Sequence, residues 1–241
     1  MNKLYSVSFE YLEDREITRP SEIKRAVELL SHMGSDKTIA QSARVSYDND
    51  ISKGDEQDSK LIDYLTRNEH MSPFEMAQLK LKIRAPIYIA RQWMRHRTGS
   101  YNEVSRRYTS ENMYFFIPIN FITTNDEAKN KQKGKSIADP LKEAEKADKI
   151  LRNSKNALEV YKKLINDGVS KETARMVLPL NLMTTFHWSV NLRNLFHFIK
   201  LRIAEDAQLE IREYASRLLN ICKDKFPIST YSFIRINKLE S

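Results

Sequence analysis

One cysteine, Cys222, stands among 241 residues. A lone thiol excludes an intramolecular disulfide framework and a cysteine-rich zinc centre, and it suits a reducing compartment. Glycine is scarce too: Gly34, Gly54, Gly99, Gly134 and Gly168 are the whole set. None are spaced as G-x-G-x-x-G or G-x-x-x-x-G-K-[ST], so a Rossmann-type cradle and a P-loop are both disfavoured. Any phosphate bound by this chain must therefore be held by side chains. No run approaches the roughly 20 apolar residues that cross a bilayer, and Met1-Asn2-Lys3-Leu4 leads into no apolar signal region. The expected location is cytoplasmic, without a membrane partner. His32, His70, His96, His187 and His197 form neither H-E-x-x-H nor H-x-H, so no metal is expected. There is no G-x-S-x-G elbow. Cys222 lies in the helical stretch Leu218-Leu219-Asn220-Ile221-Cys222-Lys223 and reads as a small semi-buried hydrophobe. Covalent catalysis and metal-assisted hydrolysis lack obvious agents.

Basic charge is what the chain has in excess, a formal +8 with 30% charged residues. That balance favours anionic ligands or substrates. It concentrates in Arg91-Gln92-Trp93-Met94-Arg95-His96-Arg97-Thr98-Gly99-Ser100-Tyr101-Asn102-Glu103-Val104-Ser105-Arg106-Arg107-Tyr108, directly after the largely apolar segment from Leu79 to Ala90. Arginine suits phosphate or carboxylate because its donors form a rigid planar fork. Ser105 can add a hydroxyl to the same anion, and Glu103 can hold a sugar hydroxyl or orient an arginine. Arg175 and Arg202 stand in otherwise aliphatic passages, where a guanidinium must reach water or be paired or liganded. Such a set binds and polarises an anionic substrate while a cofactor does redox work. A nucleic-acid-binding module is the rival from another class; it predicts a continuous exposed positive face, where a ligand site predicts arginines converging on a pocket. In the charged stretch 125–156, Glu143, Glu145 and Asp148 are mixed among lysines, which suits a solvated helix face better than a phosphate track.

Periodicity predicts an α+β chain. Val7, Phe9 and Tyr11 alternate as a short edge strand, and residues 22–32 have helical spacing through Ile23, Ala26, Val27, Leu29 and Leu30. Asp36 is expected to cap a helix over 37–44, with a further helix over 55–67. Leu79, Leu81 and Ile83 alternate with Lys80, Lys82 and Arg84 as a half-buried strand. A helix from Ile87 to about Met94 follows, with Pro86 in its first turn. Tyr114 to Pro118 reads as another strand. A charged loop is expected to run into a helix whose apolar side includes Leu151, Leu158, Val160, Tyr161 and Leu164. Ser170 caps 171–177, Met183 to Val190 is a strand, and Asn191 caps a long helical region broken near Glu205. Pro227 ends that region, and Tyr231 to Leu239 forms a last short helix. One domain over 1–241 with a charged insertion around 122–150 is the expected organisation.

Arg95-His96-Arg97, seven residues and Ser105 make up R-H-R-x7-S. Around this motif lie His70, Ser72-Pro73-Phe74-Glu75, Ala85-Pro86, Asn102-Glu103 and Arg107-Tyr108. Further on come Ala174-Arg175, Pro179-Leu180-Asn181-Leu182, Val190-Asn191, Arg193-Asn194-Leu195, Leu201-Arg202 and Ala207-Gln208. On these residues the chain resembles the flavin-dependent thymidylate synthase family, over roughly 38–118 and 155–235. The resemblance implies an α+β, non-Rossmann fold with long helices packed against a mostly antiparallel or mixed sheet. It implies a homotetramer with active sites formed between subunits, holding FAD and binding no nucleic acid. The reaction implied is dUMP plus 5,10-methylenetetrahydrofolate plus NADPH giving dTMP and tetrahydrofolate.

The family's flavin positions fall on Ser72, Arg95, His96, Arg97, Glu103, Asn191, Leu192, Arg193 and His197. Its dUMP positions fall on Gln92, Trp93, Met94, Arg95, Glu103, Val104, Ser105, Arg106, Arg107, Arg175 and Arg202. Arg202 takes the catalytic position, stabilising negative charge as the pyrimidine is activated, and His70 takes a substrate-handling one. Three departures stand out: Met76 where relatives often have histidine, Arg106 where glycine is frequent, and His197 for a commoner asparagine.

Overall fold

The computed structural model describes residues 26–48, 54–111, 113–118, 121–123, 137 and 139–239. The expected strand at 3–11, the start of the expected helix at 22–32 and most of the charged loop before residue 139 lie outside them. In chain order the elements are β1 (Val27–Met33), α1 (Asp36–Arg44), α2 (Asp55–Arg67), β2 (Gln78–Pro86), α3 (Ile87–Trp93) and β3 (Ser100–Glu103). They continue with α4 (Pro140–Asn166), α5 (Lys171–Ala174), β4 (Met183–Asn191), α6 (Leu192–Arg202), α7 (Leu209–Lys225) and α8 (Pro227–Asn237). The strands form one sheet in the order β1-β2-β4-β3, and the fold is α+β. The chain divides into two compact units, one drawing on Ile83–Arg95 and Glu103–Phe186 with Ala26, the other on Val27–Lys82, His96–Asn102 and His187–Ser241.

Several local signals hold. In β2, Leu79, Leu81 and Ile83 are buried while Gln78 and Lys80 are exposed, the alternation of a half-buried strand. Ser170 caps α5, accepting from the Thr173 N–H at 3.4 Å. Asn191 caps α6, its Oδ1 accepting from the Asn194 N–H at 3.0 Å.

Other expectations give way to tertiary contacts. Residues 27–33 are strand β1, not helix. Their apolar residues satisfy helical spacing, but pairing beside β2 buries Val27 and leaves Leu30 exposed, so sheet context overrides local pattern. Ser35, not Asp36, caps α1, with Thr38 completing a reciprocal capping box. Asp36 is taken by a distant helix: its carboxylate accepts from the Ile228 N–H and Ser229 N–H, both at 2.9 Å, and from the Ser229 hydroxyl. Pro227 accordingly opens α8, which begins earlier than the expected Tyr231. The 114–118 segment makes only an isolated antiparallel bridge, Phe115 to Leu182, and β3 arises inside the arginine-rich stretch where a loop was expected. On α4 the buried stripe is Ser154, Ala157 and Tyr161, and Val160 is exposed.

The first unit is cored by Met113, Phe115, Tyr161, Ala174 and Leu182, with Leu158, Leu164, Val177 and Leu178 packed around them. In the second, α2 packs on α8, α6 on α7, and α7 on β1. Phe196 stacks on Phe233 there, rings 4.3 Å apart and nearly parallel.

Gly99 is required by close approach. A Cβ at this position would lie 2.7 Å from the Trp188 Nε1 and 3.0 Å from the Ser189 carbonyl oxygen. The fully buried Trp188 indole is stacked by Tyr101 and packed by Phe198, so it has no room to yield. Gly99→Ala is expected to lower stability by about 1–3 kcal/mol, read from urea denaturation followed by tryptophan fluorescence.

On α7, one carboxylate oxygen of Glu213 is buried without a hydrogen-bond partner among the described residues. Burial pushes the group up to about 7, opposed by Arg217 and reinforced by Glu210. The folded state thus keeps a proton that the unfolded chain has released, and stability declines as pH rises from the ordinary carboxylate range through about 7. Glu213→Gln is expected to raise Tm at about pH 8 and leave it little changed at about pH 4, below both proton-release ranges. Equal gains at both pH values would contradict this.

Candidate active site

Within the first unit a cavity of about 390 Å3 is lined by Glu103, Val104, Ser105, Arg106, Arg107 and Arg175, with Ile87, Leu178, Leu182, Met183 and Thr184 behind them. Two separate pieces of chain supply its polar wall. Residues 105–109 turn back on themselves, the Tyr108 and Thr109 N–H groups donating to the Ser105 carbonyl at 3.1 and 3.2 Å. This turn is held from outside by Lys171, whose Nζ donates to the Tyr108 carbonyl at 3.3 Å. Arg175 enters from the 3-10 turn Arg175–Val177 that continues α5.

Hydrogen bonding shows how the wall is set. The Ser105 hydroxyl accepts from the Arg107 N–H at 3.3 Å and from the Arg107 Nε at 3.4 Å, an arrangement that leaves its own O–H to donate. Arg107 also lies over the Tyr108 ring, 5.0 Å from its centroid. Arg175 donates through Nε to the Glu172 carbonyl at 3.2 Å and is exposed, so this arginine reaches water as its aliphatic surroundings require. Arg106 ties back to the Glu111 carbonyl through Nη1 at 2.6 Å, and burial lowers its pKa. Its charge therefore steadies the turn as well as lining the cavity. Glu103 accepts from the buried Thr184 hydroxyl at 2.5 Å. Thr184, Ile87, Leu178, Leu182 and Met183 were not anticipated from sequence; their only signal was membership of buried elements.

The second unit gathers another group. Arg202, at the end of α6, donates through Nε to the His96 Nε2 at 3.1 Å. His197 lies 5.9 Å from the His96 ring, so α6 brings two of the expected residues to this imidazole despite their awkward spacing. Burial, then the charges of Arg202 and His197, hold His96 down to about 4. Burial also lowers the Arg202 pKa. Arg193 pairs with Glu75 at 2.5 Å, and Asn191 has its Oδ1 committed to Asn194. Arg97, Ser72 and His70 are exposed, the His70 ring meeting that of Tyr64 edge-on with centroids 6.0 Å apart. Leu192 is fully buried and can serve a ligand only through its main chain.

Of the remaining expected residues, Gln92 and Met94 are half-buried and Arg95 is exposed. Trp93 is fully buried with its indole edge-on to Phe186 at 5.6 Å, so any ligand contact from it must come from the backbone. Cys222 is fully buried and its thiol is pushed well up by burial, which leaves it unfit as a nucleophile. Among the described residues no helix is long and apolar enough to cross a membrane.

The cavity wall thus assembles residues of the R-H-R-x7-S neighbourhood and the Ala174-Arg175 segment, the same stretches in which the chain resembles known proteins. A protein from Thermus thermophilus called flavin-dependent thymidylate synthase is 44% identical over 218 residues, covering 90% of this chain and 78% of its own length. One of the same name from Borreliella burgdorferi is 41% identical over 216 residues, covering 86% of this chain and 79% of the relative. Among solved structures, a UMP/dUMP methylase PolB from Streptomyces cacaoi bound with 5-Br UMP superposes with a TM-score of 0.80 at 28% identity, covering 89% of this chain and 96% of that one. The family model described as Thy1, thymidylate synthase complementing protein, matches residues 28–228. The chain belongs to the Thy1 family, the flavin-dependent thymidylate synthases.

Proposed function

We propose that this protein converts dUMP to dTMP, taking the methylene group from 5,10-methylenetetrahydrofolate and reducing power from NADPH through FAD, and releasing tetrahydrofolate. The observation that carries this reading is the cavity in which Ser105, Arg107 and Arg175 meet beside Glu103. Its volume lies in the range of small-ligand sites. Its wall offers the donors that a nucleotide phosphate needs and no glycine cradle.

Arg107 and Arg175, with the Ser105 hydroxyl, hold the phosphate. Glu103, steadied by Thr184, takes a sugar hydroxyl. Arg202 stabilises negative charge as the pyrimidine becomes nucleophilic at C5, a preorganised cation facing developing charge. No protein thiolate is needed, in keeping with the buried Cys222.

The residues at the flavin positions fit such a group chemically. Arg97 and Arg193 are exposed cations for a diphosphate, and His96 and His197 present flat imidazoles for a ring system. Ser72, Arg95, Glu103, Asn191 and Leu192 complete the set that would hold it. When bound, FAD supplies hydride chemistry that no side chain of this protein can. We assign a homotetramer with shared sites, each drawing on more than one copy, and we give His70 a substrate-handling role.

The test is optical and then catalytic. Purified protein is expected to be yellow, to change its flavin spectrum on adding dUMP, and to release tritium from C5-labelled dUMP when methylenetetrahydrofolate and NADPH are supplied. UMP serves as the comparison nucleotide, because the Streptomyces methylase is named for both. A colourless protein indifferent to dUMP would overturn the reading.

A further inference from the structure

We propose that His96 is a positioning residue for Arg202: its neutral imidazole accepts the Arg202 Nε–H and fixes the plane in which the guanidinium meets substrate. The inference rests on the reading of Arg202 as the cation of the reaction. Arginine has five N–H donors and no acceptor, so a bond of 3.1 Å between Nε and the His96 Nε2 requires the histidine to supply a lone pair. The imidazole must then be neutral, with its hydrogen on Nδ1. A guanidinium has a single Nε–H, lying in the plane of the group. Committing it restrains the final side-chain torsion and so fixes the directions of the Nη–H groups.

The acceptor is itself firmly placed. The His96 ring meets Phe198 edge-on with centroids 4.8 Å apart. Its carbonyl accepts from the Tyr101 hydroxyl at 2.8 Å. Tyr101 is in turn stacked on the buried Trp188, rings 6.1 Å apart and inclined by only 15°. Burial pushes the Tyr101 phenol up to about 12, so it remains a donor. The charged groups facing the imidazole are Arg202 and His197, with Arg95 and Arg97 flanking it in the chain. Protonating His96 would replace an acceptor with a donor and set cation against cation, and its low pKa keeps that state unpopulated near neutrality. Three groups thus cooperate to hold one lone pair against one N–H, far more organisation than a surface arginine receives. A misplacement of about 1 Å in a reacting group costs up to about 100-fold in rate, which is the scale of benefit such a restraint provides.

Glutamine and asparagine substitutions separate positioning from packing. Glutamine can place an amide oxygen where Nε2 sits; asparagine reaches only the Nδ1 position. His96→Asn is expected to lower kcat by about 10-fold to 100-fold at saturating dUMP and FAD, with Tm near wild type and its flavin affinity measured separately by FAD titration. His96→Gln is expected to recover most of that loss. Lysine has no Nε–H of this kind, so in an Arg202→Lys background His96→Asn should add little. In protein without substrates, nitrogen NMR is expected to show His96 protonated on Nδ1 and a protected Arg202 Nε–H signal that vanishes in His96→Asn. Equal losses from asparagine and glutamine, additive losses in the lysine background, or an Nε2-protonated His96 would each overturn the proposal. Full turnover by Arg202→Lys and Arg202→Ala would instead sink the reading of Arg202 itself, a distinct failure.

Discussion

Arg202→Ala is expected to retain bound flavin and folded structure while kcat falls by about 100-fold to 1000-fold, the usual effect of removing one preorganised charge-stabilising donor. Arg202 is half-buried at the C-terminal end of α6, where its Nε donates to the His96 imidazole. Because the side chain is only half-buried, its truncation opens no enclosed core cavity, and Tm should move little. Tritium release from C5-labelled dUMP reports activation at that carbon directly. Wild-type release by the alanine variant would show that Arg202 has no part in the chemistry.

The second large effect concerns affinity. Arg107→Ala with Arg175→Ala is expected to raise KM for dUMP by about 100-fold to 10,000-fold, since each charge-assisted hydrogen bond to phosphate contributes roughly 1.5–3 kcal/mol. At saturating dUMP, kcat should fall much less, because phosphate contacts are made alike in ground state and transition state. Arg106→Ala makes a useful contrast. Its guanidinium is tied to the Glu111 carbonyl, so its loss should loosen the turn and change KM more modestly. Titration of dUMP into the flavoprotein, followed by the flavin spectrum, measures the binding side. An unchanged KM in the double variant would remove the cavity from the nucleotide site.

Two adjacent arginines of the cavity, Arg106 and Arg107, illustrate how far local pattern carries. The crowding of guanidiniums at 91–108 was visible as composition, and the motif spacing located Ser105 and Arg107 by number. Nothing local told that Arg106, one residue away, is tied back to a carbonyl while Arg107 rests on the Ser105 hydroxyl. Asp36 makes the same point for stability. As a short polar residue before a helical pattern it reads as a cap, yet Ser35 caps α1 and Asp36 binds the first turn of α8, 192 residues on. Strand β1 differs from its local reading because helical and strand spacings overlap in a short apolar stretch, and only the neighbour in the sheet separates them.

By itself the sequence set the chemistry to expect: a lone thiol, no glycines spaced as a phosphate cradle, and an abundance of guanidinium for anions. It also determined the elements whose burial repeats regularly, such as β2, and the helices whose caps adjoin them. Tertiary structure alone decided which of those guanidiniums share a wall, and that Arg202 meets an imidazole 106 residues earlier in the chain. Periodicity reports that one face of an element is covered, but it carries no address for what covers it. A hydrogen bond between distant residues leaves no local trace, because either partner alone satisfies the same spacing.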